Sequence, residues 1–144
     1  MLVDANVLLY AVDQTSRFHQ AALAWLTAQL SGRRQVGLPW SSLIAFLRIS
    51  TNARIVRDPL QPPEAWEYIE RWLREPNTWV PAPTDTHADI LGDLIVRYEL
   101  RARLIRDAHV AALAIEHGLT VCSADTDFAR FREIRWENPV SPTR

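Results

Sequence analysis

The stretch Asp107-Ala108-His109-Val110-Ala111-Ala112-Leu113-Ala114-Ile115-Glu116-His117-Gly118, running on through Leu119-Thr120-Val121-Cys122-Ser123-Ala124-Asp125-Thr126-Asp127-Phe128, decides the fold. Residues 107–117 are apolar on nearly every side, which marks a central, buried helix. Gly118 stands where a helix prefers to stop, because glycine tolerates the left-handed turn there. Residues 119–122 read as a buried strand, and the acidic turn after it opens a short helix over 126–131. A helix, a strand and a carboxylate-bearing turn therefore follow one another in 22 residues.

The same grammar repeats outward. Residues 1–3 form a short apolar strand and Asp4 follows it, before a first helical segment over 5–12. Residues 17–30 carry Phe18, Ala22, Trp25, Leu26 and Leu30 at helical spacing. A strand is expected at 35–38, a helix at 41–52, and a helix at 63–74 with Pro63 in its first turn. A third strand is expected at 78–80. Thr84 or Asp85 is expected to cap a helix carrying Ile90, Leu91, Leu94, Ile95 and Tyr98. A last strand falls at 133–137. Strands alternating with helices imply an α/β domain, with a mostly parallel central sheet flanked by helices on both faces. Residues 1–140 suit one domain, with 141–144 a short tail. In such sheets sites form beyond the carboxyl ends of the strands, near the point where strand order switches.

Bulk properties exclude several classes. The formal net charge is −1, so a nucleic-acid function needs a local basic patch. The single cysteine, Cys122, excludes a disulfide framework and reads as a buried thiol. No apolar run approaches the ~20 residues that span a bilayer. Asp4 interrupts the first apolar run too early for a signal peptide, so a cytoplasmic location is expected. There is no lysine; all sixteen basic residues are arginine, whose planar fork suits phosphate.

The chemistry rests with the aspartates. Asp4 serves equally as a helix cap or a ligand, and Asn6 is placed to orient it. Asp107 complements a helix dipole, yet a carboxylate beside so buried a helix needs a partner, either a cation or an arginine. Asp125 sits better at its strand end than Asp127, which is expected to cap the short helix. Brought together, these acids would offer the oxygen ligands that hard divalent cations prefer. Asp85, His87 and Asp89 read as capping and solvated surface, and His109 and His117 as core or rim histidines. No phosphate-cradling glycine loop and no Cys/His zinc spacing is present.

The ordered set Asp4-x-Asn6, Asp107-Ala108 and Ser123-x-Asp125-x-Asp127-Phe128, with Leu38-Pro39-Trp40, Phe46-Leu47-Arg48-Ile49 and Ile115-Glu116-His117-Gly118, resembles the PIN-domain family, and most of all the VapC-type toxins of bacterial type II toxin–antitoxin systems. That resemblance implies a Mg2+- or Mn2+-dependent endoribonuclease leaving a 5′-phosphate and a 3′-hydroxyl. It implies a homodimer and a cognate VapB-like antitoxin that blocks the site. Asp4, Asp107 and Asp125 match the family's metal-binding and catalytic acids, Asp127 is a helper, and Asn6 and Ser123 support them. Arg48 and Arg106 are the first candidates for gripping RNA, followed by Arg54, Arg57, Arg101 and Arg103. Trp66 or Trp72 is a candidate for a dimer or antitoxin groove. One departure stands out: the family carries a glutamate in the helix after the second strand, and Ala45 occupies that place here. A catalytically weakened RNA-binding or antitoxin-binding module is the alternative.

Overall fold

The computed structural model describes residues 1–141; the last three residues of the expected tail lie outside them. The elements in chain order are β1 (Leu2–Val3), α1 (Ala5–Val12), α2 (His19–Leu30), β2 (Val36–Gly37), α3 (Trp40–Ser50), α4 (Pro62–Arg74), β3 (Thr78–Trp79), α5 (His87–Arg97), α6 (Leu104–His117), β4 (Thr120–Cys122), a 3₁₀ helix (Thr126–Arg130) and β5 (Arg135–Glu137). Every strand pairing is parallel, in the order β3-β2-β1-β4-β5. The chain lays β1, β2 and β3 outward on one side and then returns to place β4 on the other side of β1. The switch in strand order therefore falls between β1 and β4, which pair through Leu2 with Val121 and Val3 with Cys122.

Side chains on successive strand residues point to opposite faces, and the two cores follow that rule. Met1, Val3 and Cys122 join the core beneath α1, α2, α3 and α4, whose Leu8, Leu26, Phe46 and Trp72 fill it. Leu2 and Val121 face the other way, into the core of α5 and α6 built on Leu94, Val110, Leu113 and Phe128. Helices thus cover both faces, and the inner strands β1, β2 and β4 are buried throughout, whereas the edge strand β5 exposes Arg135 and Glu137. Cys122 is buried, as its strand position required.

β2 and β3 are held tightly together. A Cβ on Gly37 would sit 2.8 Å from Pro81 Cγ and 2.9 Å from the Met1 carbonyl oxygen, so the sheet edge closes only over glycine. Gly118 ends α6 in the left-handed conformation, with φ of 64°.

Several boundaries depart from the sequence reading: α2 begins at His19, α3 ends at Ser50 and β5 begins at Arg135. α4 begins at Pro62, a residue early. α6 begins at Leu104, three residues before the expected 107, and Asp107 stands in its first turn as expected. The chain enters α6 through Ala102 at φ 51°, a left-handed conformation unusual for alanine. α5 starts at His87, and neither Thr84 nor Asp85 caps it: the Thr84 hydroxyl is taken up by Glu116. Among the described residues, no helix is long and apolar enough to cross a membrane.

Candidate metal centre

β1 and β4 end side by side, and each delivers a carboxylate to the same edge. Asp4 is bound on both oxygens. Oδ1 accepts the Ala5 N–H at 2.8 Å, capping α1. Oδ2 accepts the Ser123 hydroxyl at 2.7 Å and the Asn6 amide at 3.0 Å. Cap and site residue are therefore one role, not alternatives: capping uses one oxygen and leaves the carboxylate on the cavity wall.

Ser123 is the hub. It is fully buried, and its hydroxyl uses its proton on Asp4 while accepting the Asn6 amide at 2.9 Å and the Asp125 N–H at 3.0 Å. Asn6 closes the ring by accepting the Ala124 N–H at 3.1 Å. This network ties the turn after β4 to the turn after β1, across 117 residues of sequence. A fully satisfied buried network of this kind holds its members rigid.

Asp107 approaches from α6. One carboxylate oxygen each from Asp107, Asp125 and Asp127 lies within 4.8 Å of the others. Asp4 is not in that set of three, although it borders the same cavity of about 500 Å³ with Asp107, Asp125, Asn6, Arg106 and His109. Burial, then the charges of Asp125, Asp4 and Asp127, push the Asp107 pKa up to about 6, with Arg103 opposing. Burial likewise raises the Asp4 pKa, against the bonds from Ser123 and Ala5. Asp107 Oδ2 is buried without a hydrogen-bond partner. A buried oxygen of a crowded carboxylate with nothing to bond is the feature a cation would satisfy.

Three sequence expectations, for Asp127, Arg48 and His87, need correction here. Asp125, not Asp127, caps the 3₁₀ helix, its Oδ1 accepting the Asp127 N–H at 2.9 Å. Asp127 instead pairs with Arg103 at 2.8 Å and Arg130 at 3.1 Å. Among the candidate arginines, Arg106 lines the cavity, while Arg103 stands beside the acids as their counter-charge. Arg48 is not at the acidic cavity; it lies on a separate groove with Ile44, Leu47 and Trp66. Helical periodicity explains the miss, since Ala45 and Ile49 face the cavity and Arg48 turns to another side of α3. Trp72 is a core residue, edge-on to Phe46 with ring centroids 4.9 Å apart, whereas Trp66 is 45% exposed. Ala45 lines the acidic cavity, so a methyl group stands there where the resemblance had implied a glutamate.

His87 is not solvated surface. It bridges Glu116 and His109, two residues of α6, and His109 in turn borders the cavity. Sequence spacing gave no signal for this contact, because its members lie 22 and 29 positions apart. His117 is a rim histidine bonded to the Ala82 carbonyl.

The chain is 44% identical over 138 residues to Ribonuclease VapC37 of Mycobacterium tuberculosis, covering 96% of both proteins. Its fold resembles that of VapBC2 from Rickettsia felis, solved bound to a promoter DNA fragment, with a TM-score of 0.70 at 14% identity over 95% of this chain and 96% of that one. It also resembles Mycobacterium tuberculosis VapC20, described as a sarcin-ricin loop cleaving toxin, with a TM-score of 0.68 at 18% identity over 93% of this chain and 98% of that one. The PIN-domain profile matches residues 1–134, and with these carboxylates gathered at the switch in strand order the chain belongs to the PIN-domain family.

Proposed function

We propose that this protein is a divalent-cation-dependent endoribonuclease, acting in the cytoplasm as the toxin of a toxin–antitoxin pair. The observation that carries the proposal is the convergence of Asp107, Asp125 and Asp127, with one Asp107 oxygen buried and unpartnered, in a chain 44% identical to a named ribonuclease. Asp4, Asp107 and Asp125 hold the cation, Mg2+ or Mn2+, with Asp127 as helper. The donor set supports that choice, since all four offer carboxylate oxygen and none offers sulfur or imidazole. The cation supplies charge neutralisation at the scissile phosphate and activation of water.

The remaining work falls to the chain itself. Ser123 and Asn6 hold Asp4 in one orientation and leave one of its lone pairs free. Arg106, on the cavity wall, supplies a guanidinium to the phosphate backbone. Arg103 balances Asp127 and keeps the acidic cluster from repelling RNA outright. Asp107 is the poised member: its raised pKa falls back when a cation arrives, so cation binding and ionisation reinforce each other.

A VapB-like antitoxin and a second copy of the chain complete the reading. A groove of about 430 Å³ lined by Leu9, Val12, Ile49, Val56, Leu60 and Tyr68 adjoins the acidic cavity, with which it shares Leu9 and Ile49. An antitoxin segment seated there would end at the acids and obstruct them. Exposed Ile44, at 57%, and Trp66 support a dimer face on α3 and α4.

The test is cleavage of total tRNA and ribosomal RNA by antitoxin-free protein in Mn2+, with and without excess chelator. Cleavage to 5′-phosphate ends, abolished by chelator and restored by Mn2+, is expected. Undiminished cleavage in chelator would overturn the metal reading, and no cleavage under any metal would favour the non-catalytic alternative.

A further inference from the structure

Glu116, His87 and His109 form a chain of hydrogen bonds that ends at the acidic cavity. The Glu116 side chain is completely buried. Its Oε1 accepts the Thr84 N–H at 2.8 Å and the Thr84 hydroxyl at 2.7 Å. Its Oε2 lies 2.6 Å from His87 Nδ1. His87 Nε2 lies 3.1 Å from His109 Nδ1, the two rings meeting edge to face. Burial opposes the Glu116 charge, but the His87 and Thr84 bonds outweigh it and hold the carboxyl below its usual range. Glu116 and His109 are seven residues apart on α6, two turns along one side of the helix.

With both rings neutral, every bond has one possible direction. A carboxylate only accepts, so His87 carries its proton on Nδ1 and presents a lone pair at Nε2. His109 Nδ1 must then donate, which leaves His109 Nε2 unprotonated. Among the described residues that nitrogen has no hydrogen-bond partner, and the ring lines the cavity with Asp4, Asp107 and Asp125. It is not one of the three atoms that gather within 4.8 Å. It is a neutral acceptor beside an apolar wall of Leu91, Ile105 and Ala45, where the small Ala45 side chain leaves room.

We infer that Glu116 and His87 are positioning residues that fix the tautomer of His109, and that His109 Nε2 accepts a hydrogen bond from a nucleoside of the RNA seated against that apolar wall. The donor is a ribose hydroxyl or a base amino group. The inference rests on the ribonuclease reading for its ligand, and not for its tautomers.

Glu116→Gln tests it with almost no change in volume. The Thr84 N–H can only donate, so the amide oxygen must stay at the Oε1 position and the NH2 must face His87. His87 Nδ1 then accepts, His87 Nε2 donates, and His109 Nε2 becomes an N–H donor. Two-bond 1H–15N spectra of the full-length protein should show His109 protonated on Nδ1 in the wild type and on Nε2 in Glu116→Gln. Adenosine 5′-phosphate in Mg2+ should shift the wild-type His109 Nε2 resonance. An absent response to the 2′-deoxy nucleotide assigns the donor to the ribose, and an equal response assigns it to the base. Kd for adenosine 5′-phosphate should rise about tenfold in both Glu116→Gln and His109→Ala. The double variant should be no worse than His109→Ala, and Mn2+ affinity should stay unchanged in all three. His109 protonated on Nε2 in the wild type, a resonance indifferent to both nucleotides, or losses that add in the double variant would overturn the inference. Should Glu116→Gln not fold, the wild-type spectra and His109→Ala decide alone. Failure of the ribonuclease reading would appear separately, as wild-type protein that cleaves no RNA whatever its tautomers.

Discussion

Replacing Asp107 by asparagine should make the metal-free protein more stable while removing its cation site. Asp107 has a folded pKa of about 6 against an ordinary 3.8. The folded chain therefore binds more protons than the unfolded chain between those two values. The sign follows: the contribution of Asp107 to stability is most favourable below pH 3.8 and is lost as pH rises through about 6. The separation corresponds to about 3 kcal/mol. Asp107 is only half-buried, and solvent screening reduces this to about 1–2 kcal/mol of destabilisation at pH 8. Asparagine keeps the shape, cannot ionise, and removes that cost. In chelator at pH 8, thermal unfolding followed by circular dichroism should show Asp107→Asn melting about 3–6 °C above wild type. At pH 5 the gap should shrink, because the wild-type carboxyl is then largely protonated. Mn2+ should raise the wild-type melting temperature and leave the variant unmoved. A variant less stable than wild type at pH 8, or a gap equal at both pH values, would refute the reasoning.

Ser123→Ala should cost about 2 kcal/mol, since it strips a 2.7 Å donor from buried Asp4 and an acceptor from Asn6 and the Asp125 N–H; urea denaturation reads the loss as a lower midpoint with an unchanged slope. It should also raise the Asp4 pKa further, because the Ser123 bond is the largest influence lowering it. Ala45→Glu projects a fifth carboxylate toward the acidic cavity that Ala45 lines, and should tighten Mn2+ binding about tenfold by calorimetry. Gly37→Ala should destabilise the fold by about 2 kcal/mol or more, because the added Cβ meets Pro81 and the Met1 carbonyl below 3.0 Å; a melting temperature within 1–2 °C of wild type by the usual scaling would contradict that packing argument.

Much of the fold was legible because the chain buries both faces of its sheet. Leu2-Val3 and Thr120-Val121-Cys122 had to be strands, and the all-apolar 107–117 had to be an inner helix. The parallel sheet followed from alternation alone. Asp4 and Asp125 were legible for a local reason: Asp4 follows β1 directly and Asp125 lies in the turn just past β4. The order of the strands, which makes those two ends neighbours, is a long-range property that no local pattern carries. What escaped was set by side chains meeting across helices. Arg48 reads as a helix-end cation, but its angular position on α3 turns it from the cavity that Ala45 and Ile49 face. Thr84 reads as a helix cap, yet buried Glu116 competes for its hydroxyl and backbone N–H and wins both. His87 reads as surface because its partners come from α6. The cap of the 3₁₀ helix falls on Asp125 rather than on Asp127 two residues later, a choice between neighbouring carboxylates finer than sequence pattern resolves.

The central claim is that the aspartates at the ends of β1 and β4 and at the start of α6 are one divalent-cation site. Manganese binding followed by electron paramagnetic resonance, on wild type and on Asp107→Asn/Asp125→Asn at pH 7.5, tests it most directly. A saturable Mn2+ site in the wild type that disappears in the double variant, with the fold intact by circular dichroism, is the predicted result. Equal Mn2+ binding by both proteins would contradict it.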